Sequence, residues 1–304
     1  MIYQNAVQFS AEVNLAHWPQ HSPGTPQAVF MVLPEAFALA AESATDNTYM
    51  QSCAVNAERA LAQALGLAQS LRQAGVCTLL FPGDVTAPDG VFPNNVFATA
   101  PGRYLTGAMR HPVRQREATR PDLQRFFREV LGRNLIDLRK PGVVAELTGS
   151  LVIDRSRELG FCGLSERCNL AGAQAMHEAF ALQGSLVFQL AASEYHTNVV
   201  LSVLAGRGVV LAPSGFADPA YCEAIAGFYQ PHAIWLDDAE KAAFAGNCIA
   251  LKPDQLWLSE RAVDGLRAAN RSAIEKLGFN LCSVPLDELE KAGGSLRCMI
   301  GEIY

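Results

Sequence analysis

Five times along this chain a short polar cluster leads straight into an apolar run. The clusters occupy residues 92–99, 146–154, 196–204, 244–251 and 293–300, so their starts differ by 54, 50, 48 and 49 residues. A period of that size signals repeated supersecondary units that bury a shared core by packing on their neighbours. The clusters are not copies of one another: one carries Glu146, one His196 and one Cys298. If five units close into a ring, equivalent chain positions meet at its centre. A carboxylate, an imidazole and a thiol would then converge from far apart in sequence.

With 304 residues, half of them apolar, the chain can bury a large core. No Pro/Gly/Ser-rich linker separates the repeats, so residues 1–304 read as one domain, with 1–30 as an N-terminal segment leading into the first unit. A net charge of −6 without any Lys/Arg-rich stretch argues against nucleic-acid binding. No apolar run approaches the ~18 residues a membrane helix needs. The first fifteen residues lack the basic start and apolar block of a signal peptide. A soluble, cytoplasmic protein is expected, and the sequence is compatible with a homo-oligomer. None of the eight cysteines forms a Cys-x-x-Cys pair or a zinc-type spacing with histidine. Most of them read as buried reduced thiols.

Between clusters, helical and strand signals alternate. Residues 55–73 place Leu61, Leu65, Ala68 and Leu71 at helical spacing, and Gly75 stops that helix. Residues 165–182 and 259–277 also read as helices. Strands are expected at 28–33, 77–81, 185–190, 196–204, 209–212 and 280–284. Each unit thus reads strand, strand, helix, strand, an α/β class with local connections. Residues 34–51 are irregular and partly polar, placed to act as a lid.

Cys298 follows Gly293-Gly294-Ser295, where paired glycines permit close approach of backbone or ligand. Arg297 is adjacent, but on a strand it would face away from the sulfur. His196 opens an expected strand with Asn198 two residues on, on the same face. Glu146 opens a segment in which Gly149 again permits tight approach. Each residue alone has a bland reading: a buried thiol, a satisfied histidine, a solvated acid. Together, at matched phases of a repeat, they supply a nucleophile, an acid/base partner and an orienting group.

Gly293-Gly-Ser-Leu-Arg-Cys-Met299 resembles the nucleophile motif of the guanidino-group-modifying superfamily of arginine deiminases, dimethylarginine hydrolases and amidinotransferases. Phe92-Pro-Asn-Asn95, Thr148-Gly-Ser150, Gly163-Leu-Ser-Glu-Arg167 and Tyr195-His-Thr-Asn-Val199 are similar to its deiminase-related, citrulline-hydrolase-like branch. The resemblance spans about 31–304 and implies a five-bladed α/β propeller (the pentein fold) around a central site. It implies a hydrolase of C–N bonds other than peptide bonds, needing no metal or organic cofactor. Cys298 would attack the central carbon of a small guanidino or ureido amino acid, forming a thiouronium-type intermediate. His196 would protonate the departing amine and then activate water. Glu146 would hold the substrate nitrogens, and Asn95 and Asn198 would line the head-group pocket.

Arginine-processing relatives typically carry aspartate where this chain has Asn95 and Asn198. Amides donate as well as accept, which suits a neutral ureido group and puts citrulline ahead of arginine. Asp84 or Asp89 would restore a carboxylate and keep arginine in play. Arg110, Arg114, Arg116 and Arg120 form a basic segment able to hold an α-carboxylate or simply to be solvated. Asn247 reads as a turn residue, Glu42 and Asp46 as exposed acids, and His17, His21, His111, His177 and His232 as structural. Two alternatives remain: amidino transfer to an amine, and a non-catalytic propeller that binds a macromolecule. The second would not need thiol, imidazole and carboxylate in matched phase.

Overall fold

In the computed structural model, which describes residues 1–14, 18–35 and 37–304, each polar cluster folds as one turn that delivers the chain into a strand. Four are single helical turns at Pro93–Asn95, Leu147–Ser150, Thr197–Val200 and Leu296–Met299. The other is closed by the Asn247 amide donating to the Phe244 carbonyl at 2.9 Å. Phe244, at φ 64°, and Leu147, at φ 30°, hold backbone angles that side chains disfavour. Such strain persists only where surrounding contacts fix it.

Sixteen strands among the described residues form five separate sheets. The N-terminal region supplies β1 (Ile2–Tyr3), β2 (Ala28–Val32) and β3 (Thr78–Phe81). Then come β4 (Phe97–Ala100), β5 (Arg103–Thr106) and β6 (Asn134–Asp137). The next sheet uses β7 (Leu151–Asp154), β8 (Leu159–Leu164) and β9 (Gly184–Gln189). It is followed by β10 (Leu201–Val203), β11 (Val209–Leu211) and β12 (Ala233–Trp235). Last are β13 (Ile249–Lys252), β14 (Gln255–Ser259), β15 (Asn280–Val284) and β16 (Gly301–Ile303).

One topology recurs. The strand after the cluster pairs antiparallel with the next strand, and a third pairs parallel on its far side, as in β4–β5–β6, β7–β8–β9, β10–β11–β12 and β13–β14–β15. A tight turn suffices for the first pairing, whereas a parallel pairing demands a crossover. The fifth sheet keeps the pattern but splices the chain's ends: β16 runs antiparallel to β2, and β2 parallel to β3.

Hydrogen bonds link each cluster to the next. Thr148 Oγ1 donates to the Asn94 carbonyl at 2.8 Å, and Thr197 Oγ1 to the Ser150 carbonyl at 2.6 Å. Asn247 Nδ2 donates to the Asn198 carbonyl at 2.9 Å, and the Arg297 amide to Asn247 Oδ1 at 3.1 Å. The last cluster's strand returns to the first, since Thr99 Oγ1 donates to the Glu302 carbonyl at 2.9 Å.

The elements differ from expectation in four places. The helix expected at 165–182 starts only at Leu170 and ends at Ala179, because Asn169 caps it and Ser165 and Cys168 close a tight turn before it. The helix at 259–277 breaks into Glu260–Gly265 and Ala268–Lys276, where the Arg267 backbone and guanidinium both bond Glu240 at 2.9 Å. The helix Ala57–Gln73 buries Ala60, Ala64, Leu67, Ala68 and Leu71, leaving Leu65 exposed. The strand expected at 196–204 starts only at Leu201. His196 and Asn198 therefore do not share a strand face.

The N-terminal segment is part of the core rather than a mere lead-in. The edge strand β1 pairs parallel with β9, and Phe9 is fully buried against Tyr3, Phe161 and Phe228, with ring centroids 5.7–6.2 Å apart. No helix of the described residues is long and apolar enough to cross a membrane. Phe9→Ala should cost about 3–5 kcal/mol of unfolding free energy, the usual range for deleting a buried ring. Urea denaturation checks this; a loss under about 1 kcal/mol would mean that the segment is only loosely docked.

Candidate active site

Cys298 and His196 face one half-open cavity of about 30 Å³, lined also by Asp89, Asn94, Asn95 and Tyr195. That volume holds roughly two waters. Cys298 arrives on the Leu296–Met299 turn, 4% exposed. Asn247 Nδ2 donates to its sulfur at 3.4 Å. His196 immediately precedes the Thr197–Val200 turn. Its ring lies directly on the Gly149 backbone: a Cβ there would come within 2.7 Å of the imidazole. The residue type at 149 thus follows from the position of the histidine.

Behind the imidazole stands Glu146, fully buried. Its carboxylate accepts from His196 Nε2 at 2.9 Å, Asn95 Nδ2 at 3.0 Å, the Arg110 amide at 3.1 Å and Arg167 Nη1 at 3.4 Å. With Nε2 held by Glu146, His196 Nδ1 has no hydrogen-bond partner among the described residues and is left for proton exchange.

Burial alone would raise the Glu146 pKa, but the Arg167 charge and the His196 hydrogen bond outweigh it and hold the carboxyl well below its usual range. Burial pushes His196 down despite its bond to Glu146. Burial also pushes the Cys298 thiol up, against the hydrogen bonds from Ser295 and Asn247 and the charges of Arg297 and Arg114. Burial thus favours the neutral form of both groups. A cation entering the cavity would favour the thiolate.

Two acceptors at the cavity are unsatisfied: Asp89 Oδ1 and Asn94 Oδ1 are buried without hydrogen-bond partners among the described residues. Buried polar atoms are normally paired, so these mark where a donor-rich ligand fits. Burial raises Asp89 above the ordinary carboxylate range, against the Arg114 charge and the Ser43 hydroxyl.

The irregular segment at 34–51 closes one side of the cavity through Ser43 and Asn47. Ser43 Oγ donates to Asp89 at 2.7 Å, Arg167 Nε to Asp46 at 2.7 Å and Tyr49 OH to Glu194 at 2.7 Å. His111 Nε2 lies 3.0 Å from the same Asp46 carboxylate.

The structure thus brings Cys298, His196, Asn95, Asp89 and Arg114 to one cavity and sets Glu146 behind it. Glu146 does not line the cavity, so it bears on His196 rather than on a ligand. Asn198 does not line it either. In a helical turn its amide points to the Thr148 carbonyl at 3.2 Å, not along the histidine's face. Arg114 Nη1 and Nη2 donate to the Asp89 and Phe92 carbonyls and to Asn95 Oδ1, at 2.6–2.8 Å, and so brace the Asn95 loop, while Nε has no partner among the described residues. Asp84 only caps a surface turn through Thr86, and Arg110 and Arg116 are exposed. His17 lies outside the described residues. Sequence reasoning had Asn247 close a turn, as it does, but did not foresee its bond to the Cys298 sulfur. It also gave no role to Arg167, which was visible in the Gly-Leu-Ser-Glu-Arg motif. Nothing in the sequence pointed to Ser43 or Asn47.

The model of the eukaryotic N,N-dimethylarginine dimethylhydrolase family matches residues 33–304. The chain belongs to that family. Membership places it in the superfamily of guanidino-group-modifying enzymes. The N-terminal domain of ArgZ, an arginine dihydrolase from the ornithine-ammonia cycle in cyanobacteria, superposes with a TM-score of 0.79 at 20% identity, over 91% of this chain and 97% of that domain. A dimethylarginine dimethylaminohydrolase adduct gives 0.70 at 20% identity, over 92% and 100%. The uncharacterized protein YkgA of Bacillus subtilis is 21% identical over 277 residues, 90% of this chain and 91% of YkgA. At these identities the structural matches establish the shared mixed α/β fold of small sheets.

One buried acid beside the site has a measurable signature. Burial pushes Glu117, 3.3 Å from Arg114, up to about 8. Its folded value exceeds its unfolded value, so it binds a proton more tightly in the folded state. Its contribution is fully present below the unfolded pKa and is lost as pH rises through about 8. Replacing it by the neutral isostere, Glu117→Gln, should therefore flatten the fall in stability between about pH 5 and 8. Urea midpoints across that range check this; parallel curves for the two proteins would refute the protonated acid.

Proposed function

We propose that this protein is a cysteine hydrolase of C–N bonds in a guanidino amino acid of arginine's kind, with the ureido analogue citrulline as a second electrophile. The observation that carries the reading is the cavity itself. It sets Cys298 and a Glu146-backed His196 beside two unsatisfied acceptors, Asp89 Oδ1 and Asn94 Oδ1. A guanidinium offers the donors those acceptors lack, and its charge favours the thiolate. The amides at Asn94 and Asn95 suit the carbonyl of a ureido group. Structural neighbours described as an arginine dihydrolase, one bound to substrate and one covalently bound to a reaction intermediate, support both halves of this reading.

In the proposed sequence His196 accepts the Cys298 proton and Sγ attacks the central carbon. The tetrahedral adduct expels ammonia, which takes its proton from His196, leaving a thiouronium on the sulfur. His196 then deprotonates water, which adds to the same carbon. The C–S bond breaks, the thiolate returns and the ureido product leaves. A ureido substrate follows the same path: ammonia leaves, a carbamoyl thioester forms, and its hydrolysis gives a carbamate that takes up a proton and loses CO2 to leave the free amine. Acid/base steps of this kind are each worth about 10²–10⁴-fold.

Five sheets of one topology, with hydrogen bonds that run cluster to cluster and back to the first, support a five-bladed α/β propeller with the site at its centre. A whole amino acid exceeds the present cavity, so the segment carrying Ser43 and Asn47 would open to admit it.

The test is ammonia release from arginine, citrulline, agmatine and a methylated arginine. Cys298→Ser should abolish release from every active substrate, and residual turnover would remove the thiol from the mechanism. Asp89→Asn should lower kcat/KM for arginine by about 10–100-fold, the worth of one charged hydrogen bond, and affect citrulline less. Equal losses would sink the role given to the carboxylate. Gly149→Ala should cut kcat about 100-fold by displacing the His196 ring, with the far-ultraviolet spectrum unchanged.

A further inference from the structure

A second small cavity lies across the Leu296–Met299 turn from the first: Cys298 lines one and Arg297 the other. Beside Arg297 stand Arg155, Glu302, Tyr304 and Thr148, around a space of about 20 Å³. Arg297 is 6% exposed. Its Nη1 donates to Ser202 Oγ at 2.6 Å and, at 3.5 Å, to the Cys248 carbonyl, while its Nε has no partner. Among the described residues no carboxylate comes within ion-pairing distance of this guanidinium. Arg155 Nη1 donates to the Thr99 carbonyl at 3.1 Å, and its guanidinium lies 4.3 Å from the Tyr304 ring centroid. Glu302 pairs with Arg155 and not with Arg297. It sits 3.8 Å from Arg155 Nη2, and its Oε1 is already taken by Tyr304 OH at 2.8 Å.

Two guanidinium groups and one carboxylate, paired with Arg155, leave the cavity with a net positive charge, centred on Arg297. A buried charge without a partner is costly, and guanidinium donors bind compact anions well. The volume fits one ion of chloride or bicarbonate size, since about 10–15 Å³ is occupied per water-sized probe. We infer that this cavity is a binding site for a small monovalent anion, set behind the nucleophile's turn and separate from the substrate cavity. The site communicates with the thiol through one peptide bond. Arg297 is among the charges that favour the Cys298 thiolate. An anion on Arg297 cancels that charge, shifts Cys298 toward the thiol and slows its reactions without competing for substrate.

The inference does not need turnover, so its failure and that of the hydrolase reading are distinguishable. Alkylation of Cys298 by neutral iodoacetamide would be followed at fixed pH and ionic strength while gluconate, too large for the cavity, is replaced by chloride or bicarbonate. A several-fold, saturable slowing by either anion is expected, the ratio of the two giving the preference. In Arg155→Gln the slowing should vanish or need much higher anion concentration, while the rate in gluconate stays close to that of the unaltered protein. Broadening of the chloride-35 resonance by the unaltered protein, reversed by bicarbonate, tests binding without any variant. Slowing that persists unchanged in Arg155→Gln would place the anion in the substrate cavity. Rates equal to those in gluconate, or no broadening, would likewise overturn the site.

Discussion

The buried carboxylate of Glu146 is the constraint around which the site is arranged. Fully removed from water, it stays ionised only because His196, Asn95, Arg167 and the Arg110 amide all donate to it. Those donors come from four separate stretches of chain. Satisfying one charge therefore fixes where the imidazole sits, how the Asn95 loop is held and where Arg167 points. Arg167 then passes the constraint outward to Asp46, in the segment that closes the cavity. Removing the carboxylate would leave the His196 ring and the Asn95 amide without their shared acceptor, while Arg167 would keep its bonds to Asp46.

The Leu296–Met299 turn divides the interior chemically. On one side lie the thiol, the imidazole and acceptors without donors; on the other, guanidinium groups short of acceptors. Asn247 ties the two sides together, donating to the Cys298 sulfur and accepting from the Arg297 amide. An amide can do both at once, which neither a carboxylate nor an ammonium could.

Much of this was legible in the sequence, for a physical reason. The fifty-residue phase of the clusters reflects units that must each present the same edge to their neighbours, so Glu146, His196 and Cys298 could be singled out from different repeats. What the phase concealed was local conformation. Apolar runs after polar residues read as strands from their first residue, yet each begins with a turn, and a turn sends successive side chains in different directions. That is why Asn198 was assigned to the cavity and the bond from Asn247 to the Cys298 sulfur was not foreseen. Within the stretch expected to act as a lid, Ser43 and Asn47 were not singled out and Asp46 was read as exposed, because the stretch has no periodicity; long-range bonds to Asp89 and Arg167 place it. The helix face misread at Leu65 has a simpler cause: small alanines at 60 and 64 pack against the sheet, and a leucine draws the eye more than an alanine does.

The fifth sheet joins β16 to β2, strands from opposite ends of the described chain. Pairing so distant in sequence is slow to form, because the intervening chain must first be organised. Cys298 sits on the turn that leads into β16. During synthesis Cys298 is therefore made only after His196 and Glu146, the groups that will stand around it. A chain interrupted before this point carries neither the thiol nor the strand that completes the sheet. An unfinished copy thus lacks the Cys298 thiol altogether, rather than exposing one without its imidazole and its walls.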